Sequence, residues 1–264
     1  MRRFALRVDI DTVRGLVKGA PVVTEMLDEL GMKATFFATV GVDRTARAFF
    51  HSSRLKRHMR ISPLKKYGVW EIVGSLFGLD FSKHRQRIVN LEKKGHEVQL
   101  HCFDHVEWVR EIEHADLQRT EHMIRRGIEA FESMLGRRPT AFAAPAFKTS
   151  QRVIEMEKKL GFLYASDYQV EGECKPFTPQ GGVVQIPVNL PLIEDLVAKG
   201  WSDAKILSSL SEGFAANRIS VMYIHLCYEP VHKTELLRKT LELALDKADP
   251  VTFKEIWRDW SRSG

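Results

Sequence analysis

Cysteine is scarce in this chain of 264 residues. Only Cys102, Cys174 and Cys227 occur, widely spaced and odd in number, so a disulfide framework is excluded and a reducing compartment is expected. No window reaches the ~18 uninterrupted apolar residues that a spanning helix needs. The opening MRRFALRVDIDT lacks an apolar core before charge returns at Arg7, Asp9 and Asp11, so it does not read as a secretory leader. The expected location is therefore the cytoplasm, either free or on the cytoplasmic face of a membrane. Internal repeats, low-complexity tracts and a clear linker are all missing, and 1–264 is expected to be one domain. Helix-turn-helix, zinc-finger and RNP-type patterns are also missing, so no nucleic acid partner is expected. Acidic residues are absent from 44–66, where eight basic residues stand: Arg44, Arg47, Arg54, Lys56, Arg57, Arg60, Lys65 and Lys66. The formal net charge is only +6, so the rest of the chain is net acidic and the basic character is local.

Strand-like and helix-like runs alternate through most of the chain. FALRVDI, ATFFATVG, HEVQLHC, TAFAAPA and ISVMYIHL are apolar and rich in β-branched and aromatic residues. Between them, PVVTEMLDELG, SKHRQRIVNLEKKG, DLQRTEHMIRRGIEAFESMLG and SQRVIEMEKKLG have helical spacing and end on glycine. This alternation predicts an α/β fold around a largely parallel sheet, open or closed into a barrel. The interval at about 42–80 breaks the pattern. It is longer than the roughly 2 to 6 residues of an ordinary strand-to-helix connection, and it carries the basic cluster.

The chemistry-bearing residues stand at strand ends. RVDID places Asp9 and Asp11 on one face of the first strand. HCFDH follows the strand-like EVQL, and its i, i+4 spacing predicts that one helical turn brings His101 and His105 onto one face. His225 closes VMYIH. Strand ends converge on the active site of parallel α/β folds, and two close carboxylates require a cation or donors between them. Together these residues predict a metal site. Cys102 stands where an HExxH peptidase has its base, so that class is excluded and Asp9 becomes the candidate base.

The order RVDID, HCFDH, AAPA, YASD and YIH resembles the NodB-type polysaccharide deacetylases. RVDIDTVRG, GAPVVTEML, KYGVWEI and QIPVNLP extend the likeness, over nearly the whole chain, to the branch that acts on amino sugars carried by undecaprenyl phosphate. The resemblance implies a distorted (β/α) barrel and a metal-dependent amidohydrolase that removes a formyl or acetyl group, in lipid A or lipopolysaccharide modification. It implies Asp11, His101 and His105 as metal ligands, Asp9 as catalytic base, His225 as general acid and Asp167 as the residue that orients His225. One divalent ion is implied; histidine and carboxylate ligands favour zinc, with manganese, cobalt, nickel or iron also compatible. The family's third motif has an arginine where this chain has Ala143, and Lys148 is the expected substitute charge beside Asp9. The backbone N–H of Ala146 is the expected oxyanion donor.

In the insertion, Phe49, Phe50 and other apolar residues interleave with Arg54, Arg57 and Arg60. Such a segment suits an anionic membrane surface or a lipid phosphate. A deacetylase of soluble or polymeric sugar is the alternative. A non-haem iron oxygenase triad and a non-catalytic sugar-lipid binder are disfavoured by the strand–helix alternation and by Asp9 and His225, respectively.

Overall fold

A computed structural model describes residues 2–45 and 75–263. Most of the insertion, including Phe49, Phe50, Arg54, Arg57 and Arg60, lies outside the described residues.

Eight strands form one sheet. In the order β8 (Val184–Gln185), β7 (Tyr164–Ala165), β6 (Ala141–Phe142), β5 (Glu97–Cys102), β2 (Thr35–Thr39), β1 (Arg3–Ile10) and β9 (Ile219–His225), neighbours pair in parallel. β10 (Asp249–Pro250) joins the start of β1 beside β2, also in parallel. All eight strands of this sheet therefore point one way, and their C-terminal ends share one rim; β3 (Val42–Asp43) and β4 (Leu79–Asp80) form a separate antiparallel pair. The expected strands and helices are all present.

Alternation decides which side chains meet. Phe4, Leu6, Val8 and Ile10 face outward into a core shared with the surrounding helices. Ala5 faces the other way, into a cluster with Phe37, Ala141, Tyr164, Val221, Tyr223 and, from the last helix, Phe253 and Ile256. Both faces of β1 are thus buried, which is why it reads as a near-continuous apolar run.

The sheet curves into a barrel that is completed without a further strand pair. The Asn189 and Leu190 N–H groups both donate to Val221 O, at 3.2 and 3.1 Å. Asn189 Oδ1 accepts from Val221 N at 2.7 Å, so a side chain stands in for a strand neighbour across the gap to β9. The outer helices follow local rules. The long helix Leu117–Leu135 starts at Asp116, whose carboxylate accepts from Arg119 N at 2.7 Å. It ends at Gly136, in the left-handed region at φ 72°, with its N–H on Glu132 O.

Candidate metal centre

Asp11 is the first residue beyond β1, and its carboxylate lies at the middle of the rim. Its Oδ1 is 3.3 Å from His101 Nε2 and 3.7 Å from His105 Nε2. Its Oδ2 is 3.8 Å from His225 Nε2. One ligand atom from each of Asp11, His101 and His105 lies within 4.8 Å of the others.

The two histidines do not share a helical turn, contrary to the expectation from their spacing. His101 is in β5, and His105 opens the helix His105–Glu111. The i, i+4 separation spans a strand-to-helix turn, which folds the two imidazoles together as effectively as a helix would. Asp104 makes that turn: its Oδ1 accepts from Val106 N and Glu107 N, both at 3.0 Å.

Protonation follows from the contacts. His101 Nδ1 lies 2.6 Å from Ala143 O, and a carbonyl only accepts, so Nδ1 carries the proton. The ring's Nε2 then faces the Asp11 carboxylate. Asp11 Oδ1 is buried and has no hydrogen-bond partner among the described residues. A buried carboxylate oxygen facing two imidazole nitrogens needs positive charge beside it, and a divalent ion held by all three groups would supply it. Burial raises the Asp11 carboxyl, but His105, His101 and His225 outweigh it and hold it well below the usual carboxylate range. Burial lowers His105 more than Asp11 raises it, which favours the neutral, ligating form. The residues present fit a divalent ion.

The charge beside Asp9 is Arg7, which the sequence reading passed over. Arg7 Nε and Nη2 grip Asp9 Oδ1 and Oδ2 at 2.7 and 2.9 Å, with both side chains buried. Arg7 Nη1 continues to Ser166 O at 2.5 Å, and the guanidinium lies over the rings of Phe147 and Phe37 at 4.6 and 5.2 Å. The signal was available: Arg7 and Asp9 are two apart on one strand, so they share the inner face. Lys148, expected in this role, instead bonds Glu113 and Val109 O on the neighbouring helix and turn. It is a loop lysine tied to a nearer carboxylate.

His225 is held by a different carboxylate from the one expected. Its Nδ1 lies 3.0 Å from Glu194 Oε2. Buried Glu229 braces the pair: its Oε1 accepts from Glu194 N at 3.0 Å and its Oε2 from His225 N at 2.9 Å. Burial, against the lowering effect of His225, brings the Glu229 carboxyl to about 7. Both Glu229 oxygens serve backbone donors, so this cluster supports the histidine. Asp167 lies on β7's continuation, where its Oδ1 accepts from Ala144 N at 2.7 Å. Burial raises the carboxyls of both Asp167 and its neighbour Glu157. Asp167 therefore shapes the loop after β6. In that loop, exposed Ala146 and then Phe147 occupy the left-handed region at φ 53° and 54°. Neither is glycine, so the loop is strained at the rim.

With this geometry in place, comparison identifies the group to which the protein belongs. Residues 5–165 match the family model described as Polysaccharide deacetylase. The chain belongs to the polysaccharide deacetylase family. It is 31% identical over 205 residues to the probable 4-deoxy-4-formamido-L-arabinose-phosphoundecaprenol deformylase ArnD of Shewanella sediminis (strain HAW-EB3), covering 75% of this chain and 66% of that one. It is 31% identical over 192 residues to the protein of the same name from Wigglesworthia glossinidia brevipalpis, covering 69% and 67%. The chain thus spans about two thirds of the length of these relatives. Among solved structures, a probable polysaccharide deacetylase from Pseudomonas aeruginosa PAO1 superposes with a TM-score of 0.68 at 14% identity, over 98% of this chain and 91% of that one. At that identity the likeness concerns the (β/α) barrel alone. Members of the deacetylase family typically use a divalent metal, and the Asp11, His101 and His105 cluster offers the ligands.

Proposed function

We propose that the protein, as one domain with an insertion at about 42–80, is a metal-dependent amide hydrolase. Its substrate is an N-acylated amino sugar carried on undecaprenyl phosphate, with formyl the favoured acyl group and lipopolysaccharide modification the setting. The observation that carries the reading is the buried Asp11 Oδ1, which has no hydrogen bond among the described residues and lies 3.3 and 3.7 Å from His101 Nε2 and His105 Nε2. The names of the two relatives support the lipid-linked substrate and the formyl group.

Asp11, His101 and His105 would hold the ion, and zinc suits a set of two imidazoles and one carboxylate. A bound divalent ion lowers the pKa of a water towards ~7 and polarises an amide oxygen. Asp9, held in one orientation by the two-pronged grip of Arg7, takes a proton from the attacking water. The Ala146 N–H, on the strained rim loop, donates to the oxyanion that forms as water oxygen bonds to the acyl carbon. His225 Nε2 gives a proton to the amine nitrogen as the C–N bond breaks, while Glu194 at Nδ1 fixes the ring. The products are the free amino sugar and formate.

The basic insertion suits an anionic membrane surface, which would put the protein on the cytoplasmic face beside its lipid. No helix among the described residues is long and apolar enough to cross a membrane. Phe77, 85% exposed at the described foot of the insertion, supports the surface reading. Each basic residue close to an anionic surface contributes about 1 kcal/mol. Flotation with vesicles containing anionic lipid should therefore carry the protein upward. Loss of flotation is expected when Arg54, Arg57 and Arg60 are neutralised, and equal flotation of that variant rejects the membrane contact.

The decisive experiment incubates the protein with undecaprenyl-phosphate-linked formamido and acetamido sugars and follows the lipid by mass spectrometry. Formyl loss abolished by chelator and restored by Zn2+ is the expected result. Acetyl loss instead transfers the assignment to deacetylation. No acyl loss, or loss undiminished by chelator, overturns it.

A further inference from the structure

The chain between β2 and the insertion touches both turns that carry the candidate ligands. Gly41 N and Val42 N both donate to Phe103 O, at 3.0 and 3.2 Å, and Val40 N donates to Cys102 O at 3.0 Å. Cys102 ends β5, and Phe103 stands in the turn that follows, between His101 and His105. The approach is close enough to require glycine: a Cβ on Gly41 would come within 2.5 Å of Phe103 O. Arg44 Nη1 then reaches Asp104 Oδ2 at 2.7 Å. That is the oxygen left over after Asp104 Oδ1 has capped the helix that begins with His105.

The residue between them turns to the other ligand. Asp43, 4% exposed, accepts from Val13 N at 2.9 Å, two residues beyond Asp11. Its second oxygen accepts from Thr45 N and Thr45 Oγ1, at 3.0 and 2.6 Å. Val42 and Asp43 also pair antiparallel with Leu79 and Asp80, where the chain returns from the insertion. Six consecutive residues, Val40 to Thr45, thus form the stem of the insertion and at the same time tie the Asp11 loop to the His101–His105 turn.

We infer that this stem is the brace that sets the spacing of the three ligands, with Asp43 and Arg44 as positioning residues. The inference rests on the triad being an ion site. Charge-assisted bonds from Arg44 and Asp43 tie the two loops to one short stretch of chain. Partners one step removed from the ligands change metal affinity by about 10- to 100-fold when lost.

The test uses Co2+, whose visible absorption reports ligand geometry independently of turnover. The parent, Arg44→Ala, Arg44→Lys, Asp43→Asn and Arg119→Ala proteins are each titrated with Co2+, with unfolding of the metal-free proteins recorded in parallel. Arg119 pairs with Glu107 and Glu111 on the same helix that His105 begins, but it does not touch the turn. Arg44→Ala and Asp43→Asn are expected to bind Co2+ about tenfold or more weakly with an altered spectrum. Arg44→Lys should recover part of the affinity, and Arg119→Ala should match the parent. If Asp43→Asn fails to fold, the Arg44 pair decides alone. Parent-like affinity and spectrum in Arg44→Ala overturn the brace while leaving the triad intact. A parent that takes up no Co2+ removes the triad, and the brace with it.

Discussion

Arg7 and Asp9 show how much a single buried pair determines. Removing Arg7 leaves the Asp9 carboxylate buried without its counter-charge, which costs about 3–5 kcal/mol. Arg7→Ala should therefore lower the unfolding free energy by that amount, read as a fall in the urea midpoint at constant m-value, as well as abolish turnover. Arg7→Lys should rescue little, because an ammonium cannot supply the two-pronged contact seen at 2.7 and 2.9 Å. Glu194 makes a kinetic prediction. Glu194→Ala should reduce kcat on the order of 10²-fold with metal content unchanged, since it frees the His225 ring without touching a ligand. Retained kcat would remove Glu194 from the mechanism. His96 makes a pH prediction away from the rim. Burial lowers it from 6.5 to about 4, against the ring of Phe36. Between those values the unfolded chain binds the extra proton, so stability falls as pH drops from 6.5 to about 4. His96→Leu should flatten that part of the stability–pH curve, and an unchanged slope would assign it to other groups.

At the scale of elements, the ends of strands and helices carry the function. The turn from β5 into the helix His105–Glu111 folds two imidazoles together because Asp104 satisfies the first helical N–H groups. Gly136 isolates the cost of a helix end. Its φ of 72° is left-handed, and a Cβ there would meet nothing within 4 Å. Gly136→Ala should therefore cost about 1 kcal/mol from backbone strain alone, read as a shift in denaturation midpoint at constant m-value. Asp11, His101, His105 and His225 were legible in the sequence because each closes or follows an apolar run. Glu194 was not, because it lies in the first turn of a short helix 31 residues from His225 and no local pattern marks it as that ring's partner. Lys148 lies close to a motif along the chain but not to Asp9 in the barrel, and Asp167, implied by the resemblance of YASD, bonds Ala144 N while Glu194 stands at His225 Nδ1.

The whole molecule is a curved parallel sheet whose closure depends on Asn189. Its side chain bonds Val221 N, Gly172 O and Ile219 O. Asn189→Ala would leave at least one backbone donor of β9 unsatisfied, at a cost of about 1–3 kcal/mol. Because β9 ends in His225, the loss should appear both in the urea midpoint and in turnover. A variant as stable as the parent would show that the barrel tolerates an open seam.

The sequence by itself determined the strand–helix alternation, the direction of the strands and the presence of carboxylates and imidazoles at their C-terminal ends. These depend on side-chain period and on the burial of both sheet faces, which are local properties. Only the tertiary structure decided which charge meets which. Arg7 rather than Lys148 holds Asp9, Glu194 rather than Asp167 holds His225, and Asp43 and Arg44 tie the ligand turns together. Pairing inside a barrel depends on the register and curvature of strands far apart in the chain, and no short stretch of residues encodes it.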